Sequence, residues 1–138
     1  MDERGFLAPE TPEAAADQYR ELGPAAQTVT RETAKAMEFD REEYRERVTS
    51  DVVETARDAL FASLLEVSVG TYAEFESFCE DNPDLDVYEN GSTEVENAVW
   101  HVVPFEDAVV AATYQNEPEA AMGTLRRIAH GKFYSDVV

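Results

Sequence analysis

The spacing of apolar positions along this chain first changes near Ser63. Before that point it is helical. "TPEAAADQYREL" opens with Thr11 as an N-cap and Pro12 at the first helical position, where its missing N–H does no harm. Gly23-Pro24 stops that helix and starts "PAAQTVTRETAKAM", whose Ala25, Val29, Ala36 and Met37 predict an inward face. Asp40 with Glu43 forms a capping-box pattern for "REEYRERV". From Ser50, "DVVETARDALF" sets Val52, Val53, Ala56, Ala59 and Leu60 on one apolar stripe.

Beyond Ser63 the period becomes two. "LLEVSVG" puts Leu65, Val67 and Val69 on one face of a strand that Gly70 ends, with Glu66 and Ser68 on the other. Thr71 and Glu74 make a second capping box, and Tyr72, Phe75, Phe78 and Cys79 stripe the short helix after it. "LDVYENGSTEVENAVWHVV" predicts two strands about the turn dipeptide Asn90-Gly91. "PFED" reverses the chain into a third strand of this run, "AVVAATY", and Asn116 with Glu119 is expected to cap a final helix. The pattern predicts a single α+β domain over residues 1–138. Its helical part is 11–62, and 63–134 holds a three- or four-stranded, mainly antiparallel sheet plus helices, the last at the C-terminus. The helices are expected to cover one face of the sheet.

Charge changes the picture more than length does. Thirty Asp and Glu oppose eleven Lys and Arg, a net charge of −19, and only two of those bases are lysine. Self-repulsion of that size opposes compaction at low ionic strength and is largely screened at about 1 M salt. The composition therefore predicts a protein of a salt-loaded cytoplasm; an acidic protein seeking a basic partner is the alternative. Between Asp58 and Leu125 there are fifteen acids and no Lys or Arg, so that stretch offers nucleic-acid phosphates no cationic surface. No apolar run approaches the ~20 residues of a membrane span, and the N-terminus lacks a signal-peptide pattern.

"LGPAAQTVTRETAKAMEFDREEY", "VVETARDALFASLLEV" and "NAVWHVVPFEDAVVAATYQ" together resemble an uncharacterised haloarchaeal family of small acidic proteins, filed as a domain of unknown function. The resemblance spans nearly the whole chain. It implies a salt-in archaeal cytoplasm; it implies no activity and carries over no catalytic residue.

Candidate chemistry is sparse. One cysteine and two histidines, far apart, supply no zinc set, and no phosphate-loop glycine motif occurs, so no metal or cofactor is expected. Trp100 and His101 point to opposite faces of their strand, and the large area a tryptophan buries makes Trp100 a core anchor. His101 is either a base or a hydrogen-bonded structural histidine. Glu66 is a solvated surface carboxylate if its face is open; if covered, it must protonate or find a partner such as Arg57, Arg126 or Arg127. Cys79 sits in an acidic segment that does not activate a thiol. "CEDNPDLD" lacks calcium-loop spacing, and Ser63, Ser68 and Ser77 lie in no nucleophile elbow.

Three functions are consistent with this pattern. The first is a non-enzymatic protein-interaction module, docking a partner or a second copy along "AVVAATY" if that strand is an edge. The second is a ligand or catalytic pocket using His101, Glu66, Arg57 and Tyr114. The third is a DNA-associated regulator using Arg31, Lys35, Arg41, Arg45 and Arg47, although acids interleave them. The C-terminal Arg126, Arg127, His130 and Lys132 either complement a helix end or touch an anionic partner.

Overall fold

The two strands with the most continuous apolar runs form the middle of the sheet. These are Asn97–Val103 (β4) and Ala108–Tyr114 (β5), paired antiparallel over seven positions from Asn97↔Tyr114 to Val103↔Ala108. In this computed structural model, which describes all 138 residues, β4 and β5 are joined by Asp2–Arg4 (β1), Val67–Thr71 (β2) and Asp86–Asn90 (β3). The strand order is β1-β2-β4-β5-β3; β3 runs parallel to β5 and every other pairing is antiparallel. The helices are Pro12–Glu21 (α1), Gly23–Ala36 (α2), Arg41–Arg47 (α3), Ser50–Leu64 (α4), Tyr72–Asp81 (α5) and Pro118–Ala129 (α6), and a π-helical turn follows over His130–Tyr134.

The α+β class stands, but the sheet has five mixed strands where three or four mainly antiparallel ones were expected. The hairpin about Asn90-Gly91 does not form. Both edges of β4 are already taken, by β2 and β5, so β3 adds to the outer side of β5 instead. β2, α5 and β3 thus make a parallel crossover with β4 and β5 inserted between its strands, and that crossover carries α5 over the sheet. "AVVAATY" is consequently not an edge: β5 is buried over Ala108–Ala112. A near-continuous apolar run is the pattern of a strand covered on both faces.

Both faces are indeed covered, not one. α5 packs Phe75 on Trp100, Ala98, Val109 and Ala111. On the other face α1, α4 and α6 enclose Val67, Val99, Val103, Val110, Phe61 and Leu125. Trp100 is 2% exposed and anchors the α5 side, as its area and position predicted. Gly70 does not end β2, which continues to Thr71; a Cβ there would come within 3.3 Å of the Trp100 ring, so glycine lets the indole lie against the strand.

Most helix starts follow local chemistry. Thr11, Asp40 and Thr71 each accept a hydrogen bond from a first-turn backbone N–H, at 3.0, 2.8 and 3.1 Å. Thr49, one residue before the expected start, caps α4 at 3.3 Å. Asn116 does not cap α6, which begins after Glu117 with Pro118 in its first turn. The buried face of α2 is also displaced from the expected one. Ala26, Thr30 and Ala34 point inward, and the Thr30 hydroxyl donates to the Ala26 carbonyl at 2.8 Å. Val29 and Met37 are left in solvent, 46% and 60% exposed. On α4, Val52 is likewise exposed and Phe61 carries the burial, with Leu65 buried just past its C-terminal end.

Candidate functional site

His101 lies in the core on the α4–α6 side, 1% exposed. Its Nδ1 is 2.6 Å from the Glu66 backbone oxygen and its Nε2 is 2.7 Å from the Tyr134 hydroxyl. A carbonyl oxygen only accepts, so Nδ1 carries the proton and donates to it. Nε2 of the neutral ring then accepts from the Tyr134 O–H. Burial pushes the His101 pKa down to about 4, against a smaller upward pull from the Glu66 carbonyl, and burial pushes Tyr134 up. The imidazole is thus neutral at neutral pH with both nitrogens occupied.

The four residues considered for a sheet–helix pocket do not share one. Glu66 meets His101 only through its backbone; alternation puts its side chain opposite Leu65 and Val67, which are buried on the His101 face. Arg57 stacks its guanidinium 5.1 Å from the centre of the Tyr19 ring, and its Nε is buried without a hydrogen-bond partner. Tyr114 lines a separate recess of about 320 Å³ beside Asn90 and the start of α6.

The C-terminal basic residues divide into two places. Lys132 stacks 4.4 Å over the Tyr88 ring, on β3. Arg126, Arg127 and His130 line a cleft of about 520 Å³ between α4 and α6, facing Asp58 and Ser63. Arg126 is fixed by its Nε, which donates to the Leu65 carbonyl at 3.0 Å, and burial lowers its pKa. Gly5, in the left-handed region at φ +90, lies directly behind it: a Cβ there would come within 2.9 Å of Arg126 Nη2. Asp58 accepts from the Tyr19 hydroxyl at 2.7 Å; burial and that bond push the phenol up to about 12. His130 Nε2 lies 3.9 Å from Asp58 Oδ1, beyond hydrogen-bond reach, and is buried with no partner.

The sequence reading missed Asp58, Tyr19, Gly123 and Tyr134. Part of the signal was visible. Glu119, Gly123, Arg126 and Arg127, and His130 recur at intervals of three and four, which places them on one face of α6. Cys79 is half-buried and burial raises its thiol pKa, so it stays protonated. No group of three or more His, Cys, Asp or Glu is placed to hold a metal ion.

A second surface feature is an apolar groove of about 590 Å³ between α2, α3 and α4. Val29, Met37, Phe39, Val48, Val52 and Ala56 line it. The Arg47 guanidinium sits 5.4 Å from the Phe39 ring centre at its margin.

Fold and surface together define a small α+β protein whose mixed sheet is helix-covered on both sides. Its one buried histidine is locked into the core, and its surface offers a mixed-charge cleft and an apolar groove. Residues 6–135 match the model of a family of unknown function, DUF5809, and the chain belongs to that family. No curated protein and no solved structure gives a match. No helix is long and apolar enough to cross a membrane.

Proposed function

We propose that the protein is a non-catalytic protein-interaction module of a salt-loaded, haloarchaeal cytoplasm, and that its contact surface is the groove between α2, α3 and α4. The observation that carries this reading is the exposure of Met37, Val29 and Val52 around one continuous apolar depression. Large apolar side chains grouped in this way on a surface mark interaction sites.

Charge favours a second copy as the occupant. Residues 23–57 hold eight acids and six bases, a net −2, which leaves −17 on the rest of the chain. Two copies that meet through this region therefore bring little net charge together, and a two-fold contact sets the same patch against itself. The net charge and scarcity of lysine support the salt-loaded setting, where the remaining repulsion is screened.

Sedimentation velocity in about 2 M KCl tests it. The expected result is a concentration-dependent dimer that becomes monomer in the double variant Met37→Gln, Val52→Gln, with unchanged far-UV circular dichroism. A monodisperse monomer at every concentration, with no protein retained in a pull-down kept at the same salt, overturns the reading.

A further inference from the structure

We propose that the outer edge of β3 takes up an extended segment of a partner protein as an added strand, and that this segment carries two adjacent apolar residues flanked by Lys or Arg. The edge shares no residue with the apolar groove, and the inference does not rest on that groove.

The first observation is a row of unpaired backbone groups. β3 ends the sheet and pairs only with β5. In a parallel ladder, alternate residues turn both N–H and C=O toward the neighbouring strand. The Asp86 N–H donates to the Asp107 carbonyl at 2.8 Å, which puts Asp86, Tyr88 and Asn90 on the β5 side. The N–H and C=O of Val87 and of Glu89 therefore point away from the sheet. No backbone bond outside the ladder and no side chain reaches them.

The second observation is that this edge is left open where the other is closed. β1, at the far side, is three residues long, and Asp2, Glu3 and Arg4 are all charged and exposed, which discourages pairing. β3 is five residues long and keeps unbroken register with β5 from Asp86↔Ala108 to Asn90↔Ala112. It holds no lysine, proline or bulge. Val87 is 47% exposed and Tyr88 36%. The Tyr88 ring is held from behind by Phe133, at 5.4 Å between ring centres, so its open side has a fixed shape.

The third observation identifies the occupant. Along the edge the order is acid, apolar, aromatic, acid: Asp86, Val87, Tyr88, Glu89. Cross-strand neighbours prefer opposite charge and matched apolar side chains, and like charges set opposite one another destabilise. The complement is base, apolar, apolar, base, and it is the same whichever way the added strand runs. Glu89 is already oriented, because one of its oxygens accepts from the Tyr72 hydroxyl at 2.9 Å. A second copy offers no such complement through the same edge, since residues 80–96 contain seven acids and no Lys or Arg. Strand addition draws affinity from main-chain bonds and selectivity from the alternating side chains, so it survives the screening of a salt-loaded solvent.

The test is amide NMR of the folded chain in about 2 M KCl. The probes are two end-blocked peptides, Thr-Lys-Val-Val-Lys-Thr and its acidic counterpart Thr-Glu-Val-Val-Glu-Thr. Expected with the basic peptide are saturating shifts at Val87 and Glu89 with a dissociation constant at or below about 1 mM, and slowed hydrogen exchange at both amides. The acidic peptide should bind at least about tenfold more weakly, and the β1 amides should not move. Val87→Pro deletes an outward N–H and leaves the β5 ladder intact, so it should weaken the basic peptide about tenfold or more. Asp86→Lys should bring the two peptides within about threefold of each other. No saturating shift at Val87 and Glu89 by about 5 mM peptide overturns the proposal. So does equal affinity for the two peptides, or binding unchanged in both variants. If Val87→Pro does not fold, the Asp86→Lys result decides alone.

Discussion

Removing the ionisable group from position 101 should abolish a specific part of the acid sensitivity of this protein. His101 is 1% exposed, and its pKa falls from the ordinary 6.5 to about 4 because burial penalises the imidazolium. As pH drops below about 6.5, the unfolded chain takes up a proton that the folded chain refuses. The stability that rests on a neutral His101 is therefore complete above the unfolded pKa, declines between about 6.5 and 4, and has gone below the folded value. The loss is about 2 kcal/mol at pH 5 and roughly 3 kcal/mol in full. Urea unfolding at constant high KCl, from pH 7.5 to 4.5, would be compared with the double variant His101→Leu, Tyr134→Phe. That variant replaces both partners of the Nε2 bond with apolar groups, and any fixed penalty it introduces is independent of pH. The thirty carboxylates titrate in both proteins and cancel in the difference. The expected difference curve falls by about 2 kcal/mol on going to pH 5. Identical pH dependence in the two proteins, or a His101 ring that titrates above pH 6 by NMR, refutes the reasoning.

Three further outcomes follow from local features. Thr71→Ala removes half of the reciprocal cap on α5, in which Thr71 Oγ1 accepts from the Glu74 N–H at 3.1 Å and Glu74 Oε1 from the Thr71 N–H at 2.9 Å. It should cost about 1 kcal/mol in urea unfolding, and no loss would mean that α5 is held by Phe75 and Trp100 alone. Gly123→Ala should raise stability by about 0.5–1 kcal/mol, read as a higher thermal midpoint, because the added methyl meets no atom within 4 Å; a lower midpoint would show a steric demand at that position. Far-UV circular dichroism should show more folded protein in about 2 M KCl than in dilute buffer, and equal stability in both would sink the screening account of the −19 charge.

Helix starts were legible because their chemistry is local. Thr11, Asp40 and Thr71 each cap a backbone N–H within three residues, so spacing alone finds them. The sheet order was not legible, because Asn90-Gly91 expresses only a local turn preference. That preference loses to a seven-pair ladder between β4 and β5 and to the β2 ladder on the other side of β4. One clue did lie in the sequence. In "NAVWHVV" both alternating sets, Ala98-Trp100-Val102 and Val99-His101-Val103, are apolar or nearly so, which is the mark of a strand covered twice. The α2 face failed for a related reason. Thr30 satisfies its hydroxyl on the Ala26 carbonyl and so behaves as a buried residue, while Val29 and Met37, the more apolar pair, face out.

The two histidines show why candidate chemistry was harder to read than secondary structure. His101 drew attention because it interrupts an apolar strand, yet both its nitrogens are occupied by groups far away in sequence, the Glu66 carbonyl and the Tyr134 hydroxyl. Protonating it would force the Tyr134 hydroxyl to turn from donor to acceptor and would charge a dry core, so the neutral residue holds the C-terminal turn against the sheet. His130 sits in an unremarkable helical end beside two arginines. Its uncommitted Nε2 and the 3.9 Å gap to Asp58 arise only when α4 and α6 come together. Chemical freedom belongs to a side chain's partners rather than its sequence neighbours. On that criterion His101 is the committed ring and His130 the uncommitted one.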